Sequence, residues 1–312
     1  MTGTMETRCI GSLTVSLAGL GCNNFGNRLD EPATREVVSA ALDAGINFFD
    51  TADIYGGTRS EEFLGRALGG RRDRVVIATK FGHEIDAERR GARAQYVRRA
   101  AEDSLRRLGT DRIDLYQLHR PDPAVPIAET LGALDELVRA GKVIEIGCSN
   151  FSVAQIREAE AAVRPGAARF ASVQNEYNLL HREPEAGVLA ECESAGLAFL
   201  PYFPLASGLL TGKYRKGQPP PAGSRLQSAE RYARLLNVRN LEVVERLIAF
   251  AQSRGHTLLE LACSWLGSRG VVASVIAGAT TPAQVRANAR AVHWRLDADE
   301  LRTIHAITTP TD

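Results

Sequence analysis

The chain has 312 residues, 44% hydrophobic and 24% charged, with 38 Lys and Arg against 37 Asp and Glu for a formal net charge of +1. That balance leaves no basic footprint for nucleic acid or an anionic membrane surface, and no stretch approaches the roughly 18 apolar residues of a membrane span. The opening MTGTMETRCIGSL lacks the apolar core of a secretory leader, and the five cysteines (Cys9, Cys22, Cys148, Cys192, Cys263) are scattered with no C-x-x-C, so a cytoplasmic protein without disulfides or a metal is expected.

Residues 4–16 hold TRCIGSLTV, two short β-prone runs about Gly11-Ser12, and read as a β-hairpin. Eight apolar runs follow in chain order: SLAGLG (16–21), INFFD (46–50), VVIATK (75–80), IDLYQLH (113–119), VIEIGCSN (143–150), FASVQN (170–175), LAFLPY (197–202) and VVASVIAG (271–278). Amphipathic stretches lie between them, such as PATREVVSAALDAG, with Pro32 near its start and Gly45 at its end. Strands alternating with helices imply α/β with a parallel sheet. Eight such units favour a (β/α)8 TIM barrel over a doubly wound open sheet, with the hairpin capping its bottom. The segment from Pro204 to Asn240, rich in Gly, Pro and Arg, is read as a long functional loop after the seventh barrel strand. No shift of composition marks a boundary, so residues 1–312 are read as one domain.

Barrel active sites sit at the carboxyl ends of the strands. The runs end in Asp50, Lys80, His119, Ser149 with Asn150, Gln174 with Asn175, and Tyr202. Each alone has a plain structural reading, as a turn cap, a snorkelling lysine or a core histidine. Together they put a hydrogen-bonding group at one strand end after another, which packing does not require. Tyr55, five residues beyond Asp50, carries a phenol that is protonated at neutral pH and suited to giving a proton to a developing alkoxide. An ammonium at Lys80 would lower the phenol's pKa, Asp50 would keep that lysine charged, and a neutral His119 would hold the carbonyl oxygen. Tyr202 suits stacking on a flat ring whose carboxamide Ser149, Asn150 and Gln174 can bond. PLASGLLTGK (204–213) and AGATTPAQVRAN (277–288) offer hydroxyls, Lys213 and a helix N-terminus to phosphates.

Several near-motifs fail on inspection. GLGCNN (19–24) lacks the third glycine of a dinucleotide fingerprint, and GLLTGK (208–213) is one residue short of a phosphate loop, with Tyr214 after its lysine. No histidine pair has zinc spacing, and no G-x-S-x-G occurs.

With these segments in order, the sequence resembles the aldo-keto reductase superfamily over nearly its whole length. FFDTADIYG, VVIATKFG and DLYQLHRPDP are similar to its aspartate-tyrosine, lysine and histidine segments, and GCSNF, QNEYNLLHR, YFPLASGLLTGKY and GATTPAQVRAN to its nicotinamide and adenosine-phosphate segments. The form of YNLLHR and LASGLLTGKY is most similar to the branch of bacterial reductases and potassium-channel β subunits. The resemblance implies a catalytic tetrad of Asp50, Tyr55, Lys80 and His119 with Tyr55 as general acid. It implies cofactor contacts from Asp50, Ser149, Asn150, Gln174, Tyr202, Leu205, Ser207, Leu209, Lys213, Gly278, Thr280, Gln284 and Asn288. The cofactor would be NADPH, with NADH as the alternative, since the turn GATTPAQ carries no fixed positive charge for a 2′-phosphate. The substrate would be a small carbonyl compound, in a pocket assigned to Asn24, Phe25, Ile54, Phe81, Arg120 and Phe203. Arg89, Arg90, Arg93 and Arg120 would favour an anionic substrate if they face that pocket, against the plainer reading of solvated surface. Two other functions stand beside this one: a Schiff-base lyase using Lys80, and a nicotinamide-binding partner subunit with slow turnover.

Overall fold

The computed structural model describes residues 4–228 and 234–309. The hairpin forms as read, β1 (Thr7–Ile10) pairing antiparallel with β2 (Leu13–Ser16) across Gly11 in a left-handed conformation. Eight parallel strands follow: β3 (Ala18–Gly21), β4 (Phe48–Asp50), β5 (Val76–Phe81), β6 (Ile113–Leu118), β7 (Val143–Ser149), β8 (Phe170–Glu176), β9 (Ala198–Tyr202) and β10 (Val275–Gly278). Their order in the sheet is β10-β3-β4-β5-β6-β7-β8-β9. A parallel bridge between Phe199 and Val272 brings the ends together, so the sheet closes into a (β/α)8 barrel.

Several of the helices begin at a side-chain cap. Asp30 caps α1 (Glu31–Asp43), accepting from the Ala33 N–H at 3.0 Å, and Ser152 with Gln155 forms a capping box at α5 (Val153–Ala161). Strand bounds shift from the sequence reading, most by one or two residues (the second barrel strand starts at Phe48, not Ile46) and the start of the last by four. Ser16 belongs to the hairpin rather than the first barrel strand, and the last strand starts at Val275 instead of Val271, because Val272 makes only the closing bridge. The long connection after β9 contains a 3-10 segment, Ala206–Thr211, and a short helix, Arg225–Ser228. Its expected extent to Asn240 is too long: Asn237 caps the helix Val238–Ser253, accepting from the Asn240 N–H at 2.8 Å. Residues 229–233 of that connection lie outside the described residues.

Alternation along the strands sorts the side chains into two cores. Outward residues such as Phe49, Ile77, Phe81 and Tyr116 fill the layer between sheet and helices. Inward residues Phe48, Ala78 and Leu115 meet Ile10, Leu13 and Val15 of the hairpin, which plugs the amino-terminal end of the barrel. Two residues further along the same inward faces stand Asp50, Lys80 and Gln117, all buried. The barrel interior is therefore apolar at the hairpin end and polar at the carboxyl end. No helix among the described residues is long and apolar enough to cross a membrane.

Candidate active site

Asp50 and Lys80 are the centre of the polar end. Lys80 has no exposed surface, and its ammonium donates to Asp50 Oδ2 and to the Thr51 carbonyl, each at 2.7 Å. Burial would pull the lysine's pKa down, but the Asp50 charge, Tyr55 and the hydrogen bond to Asp50 outweigh it and leave it above the ordinary value. The other oxygen of Asp50 accepts from Gln174 Nε2 at 2.9 Å and from Gln117 Nε2 at 3.5 Å. A buried pair of this kind seldom repays its desolvation in stability. Its use is to hold a fixed ammonium at a chosen point.

That ammonium lies 5.2 Å from the centroid of the Tyr55 ring. Tyr55 comes from the loop after β4, whose path is set by backbone and hydroxyl bonds: Tyr55 N–H donates to the Ala52 carbonyl at 3.2 Å, Thr51 Oγ1 and Ser60 Oγ are 2.8 Å apart, and Ser60 Oγ donates to the Cys22 carbonyl at 2.9 Å. From the sequence, Lys80 is expected to lower the phenol's pKa. It does so by charge and by hydrogen bonding, yet burial exceeds it and Asp50 opposes it, so the net shift is upward. The proton consequently stays on Tyr55, as a proton donor requires.

His119, 8% exposed, presents its ring edge-on to Tyr55, with centroids 5.8 Å apart and planes at 78°. Burial first, then Lys80, His83 and Arg120, hold its pKa well below the ordinary value, so the imidazole is neutral. Its Nδ1 is buried without a hydrogen-bond partner. His83, absent from the sequence assignment, packs its ring at 83° against His119 with centroids 4.3 Å apart. Gln117, also unassigned, faces Lys80 across the sheet.

The proposed nicotinamide residues form one network. Ser149 Oγ donates to the Gln174 carbonyl at 2.7 Å, Asn150 Nδ2 donates to the His119 carbonyl at 3.0 Å and to Ser149 Oγ at 3.1 Å, and the half-buried Tyr202 donates to Asn150 Oδ1 at 2.8 Å. Asn150 sits at φ 63°, a left-handed conformation that costs energy in a non-glycine residue. Phe203, Ala206 and Ser207 share this feature, at φ 51°, 45° and 57°. Strained backbone thus gathers at the barrel mouth.

Leu205, Ser207 and Leu209 lie on the turn after β9, where Ser207 and Leu209 are buried. Lys213 is exposed, its ammonium 5.3 Å from the Tyr214 ring centroid and 3.5 Å from where a Cβ on Gly208 would stand. At the end of β10, Gly278 is exposed, Asn288 Nδ2 donates to its carbonyl at 3.4 Å, and Gln284 Oε1 accepts from Thr280 N and Oγ1 at 2.8 and 3.1 Å.

Of the residues assigned to the pocket, Ile54 and Phe203 are half-buried and Arg120 is exposed. Asn24 is buried, donating to the Ala279 carbonyl at 3.1 Å and accepting from Arg225 at 2.7 Å. Phe25 and Phe81 have no accessible surface and pack in the sheet-to-helix layer, Phe81 against Tyr116. For Phe81 the signal was legible: it follows the inward Lys80 and so points outward.

Comparison with known proteins agrees over most of the chain. A family model described as the Aldo/keto reductase family matches residues 18–309. Aldo-keto reductase YhdN of Bacillus subtilis (strain 168) is 35% identical over 309 residues, spanning 96% of this chain and 92% of the relative. Aldo-keto reductase yakc of Schizosaccharomyces pombe, whose name specifies NADP(+), is 37% identical over 279 residues, 85% of this chain and 80% of the relative. A probable voltage-gated potassium channel subunit beta of Arabidopsis thaliana is 37% identical over 278 residues, 86% of this chain and 84% of the relative.

Proposed function

Because the chain belongs to the aldo/keto reductase family, we propose that it reduces aldehydes or ketones to alcohols with NADPH as hydride donor, NADH being the alternative, and with Tyr55 as general acid. The observation that carries this reading is the Tyr55 phenol beside an ammonium fixed by Asp50, with neutral His119 edge-on to the same ring.

The residues present suit the cofactor. Ser149 Oγ and Asn150 Oδ1 each keep acceptor capacity for the N–H groups of a carboxamide, beside the face of Tyr202. Ser207, Lys213, Thr280 and the N-terminus of the helix Pro282–Arg290 suit phosphate oxygens. Asn288 and Gln284 brace that turn. When bound, the nicotinamide supplies the hydride. The relative named for NADP(+) supports NADPH as the first choice.

The chain's own residues govern the proton. His119 can donate one N–H to the substrate oxygen and so orient the carbonyl. As negative charge grows on that oxygen, Tyr55 gives up its proton, and the Lys80 ammonium stabilises the phenolate left behind. Asp50 keeps Lys80 charged through this step. The same charge counts against a Schiff-base lyase, since an amine nucleophile must first lose its proton.

Tyr55→Phe is the test. Consumption of NADPH with a reactive aldehyde is expected to fall by at least 100-fold while cofactor binding persists, and unchanged turnover would refute the assignment of Tyr55. The likeness to a channel subunit favours a second reading, as a slowly turning partner subunit. Turnover below about one per minute across a carbonyl panel, with cofactor retained through purification, would favour that reading.

A further inference from the structure

Four arginines in the sequence are candidates to draw an anion to the mouth, and the structure separates them. Arg89 donates to Asp86 Oδ2 at 2.7 Å and Arg90 to Glu84 Oε2 at 3.3 Å, so both are neutralised within their own loop. Arg93 precedes helix α3 (Ala94–Leu108) and is exposed. Arg120 is the one that follows His119 directly in the chain. It is exposed and has no hydrogen-bond or ion-pair partner among the described residues.

The charged side chains that act most on the two edge-on imidazoles have one sign. Those acting on His83 are Arg120 and Lys80, and those acting on His119 are Lys80 and Arg120, with no carboxylate among them. The Lys80 charge is balanced by Asp50 at 2.7 Å, whereas that of Arg120 is not. His83 is half-buried and packs edge-on against the histidine assigned to the carbonyl oxygen. A planar fork of donors suited to carboxylate or phosphate therefore stands one residue from the carbonyl-holding group.

Building on the carbonyl-reductase reading above, we infer that the preferred substrate is a short oxo-compound bearing a carboxylate or phosphate within a few bonds of its carbonyl, anchored by Arg120 with His83 as a second contact. Arg120 acts here on specificity: it binds the part of the substrate that does not react. A charge-assisted contact of this kind changes affinity by one to two orders of magnitude.

Matched pairs test it. kcat/KM with NADPH is measured for succinic semialdehyde against butanal, and for glyceraldehyde 3-phosphate against glyceraldehyde, on wild type and Arg120→Leu. In wild type the anionic member of at least one pair is expected to exceed its neutral partner by 10-fold or more, mainly through KM, and 0.5 M salt is expected to shrink the ratio. The pair that shows the effect tells carboxylate from phosphate. In Arg120→Leu that ratio should fall at least 10-fold. Equal kcat/KM within both pairs, or equal losses for charged and neutral members in the variant, overturns the inference while leaving carbonyl reduction intact. Calorimetric titration of 4-hydroxybutyrate against 1-butanol needs no turnover. Charge-dependent binding that Arg120→Leu removes upholds the anion site even if reduction fails, and its absence in wild type, together with equal kcat/KM within both pairs, overturns it.

Discussion

Two residues before Tyr55, Asp53 is 1% exposed, with Oδ1 unpartnered and Oδ2 accepting from the Tyr96 hydroxyl at 3.5 Å. Beside it lies Glu61, wholly buried and bound by Thr79 Oγ1 at 2.5 Å and Arg107 Nε at 2.6 Å. Burial, then the charge of Glu61, push the Asp53 carboxyl from 3.8 up to about 7, against the opposing pull of Arg107, the Ile54 N–H and Tyr96. The sign of the consequence follows from linkage. Below pH about 4 folded and unfolded chains both hold the proton; between about 4 and 7 only the unfolded chain loses it, so stability falls as pH rises. Past pH 7 the loss is complete, on the order of 4 kcal/mol for about three pKa units. Asparagine keeps the shape and cannot ionise. Asp53→Asn is expected to melt close to wild type at pH 5 and several degrees above it at pH 8.5. A difference in melting temperature that does not change with pH would show that Asp53 carries no such penalty.

At the scale of elements, the loop from β4 to helix α2 (Arg59–Leu68) decides where the phenol stands. Gly56 is at φ 61°, and a Cβ there would fall on the carbonyl oxygen of Phe25 and against Gly26. Both obstacles are backbone, so the loop must move if Gly56 gains a methyl group. Gly56→Ala is therefore expected to lower kcat at least 10-fold with a modest loss of stability, of about 1–2 kcal/mol, because strain at one turn displaces Tyr55 more than it disturbs the barrel. Unaltered kcat would mean that the turn does not position the phenol. This loop also marks how far the sequence can be read. The strands and their polar ends were legible because a period of two and a terminal polar residue are local signals. Asp50, Lys80 and His119 are brought together at the strand ends as that pattern implies. His83 left no such mark, because it owes its place to a ring contact between two loops; Gln117 shares the inward parity of His119 but lies before the strand end, and meets Lys80 through the register of β5 against β6. Buried Glu61 and half-buried Arg107 are separated by 46 residues, and each reads in isolation as a solvated helix charge.

At the scale of the whole molecule, closure of the barrel depends on contacts that no local pattern encodes. Seven of the eight neighbouring strand pairs are extended ladders, that of β7 with β8 shifting register between Ile146 and Gly147, whereas β9 meets the approach to β10 through one bridge, with Phe199 N–H donating to the Val271 carbonyl at 2.8 Å and Ala273 N–H to the Phe199 carbonyl at 3.0 Å. Arg8 of the hairpin braces this seam. Its guanidinium donates to the carbonyls of Arg269, Val272 and Gly267 at 2.9, 2.5 and 2.6 Å, across about 260 positions of sequence, while Glu6 takes Nε at 2.9 Å. The fork adds a donor to three carbonyls at the seam, of which that of Arg269 also accepts from the Val272 N–H at 3.1 Å. Arg8→Ala removes all of these bonds at once, and with charged donors at about 1.5–3 kcal/mol each, partly recovered by water, a loss of about 2–4 kcal/mol is expected. Arg8→Lys keeps the charge but not the planar fork, so it should recover less than half of the loss. The effect should be directional as well as large: amide hydrogens of residues 271–278 are expected to exchange faster in Arg8→Ala, while those of β5 and β6, in the middle of continuous ladders, keep their protection relative to global unfolding. Uniform acceleration across all eight strands would mean that the seam is not the weak point, and that the barrel opens only as one cooperative unit.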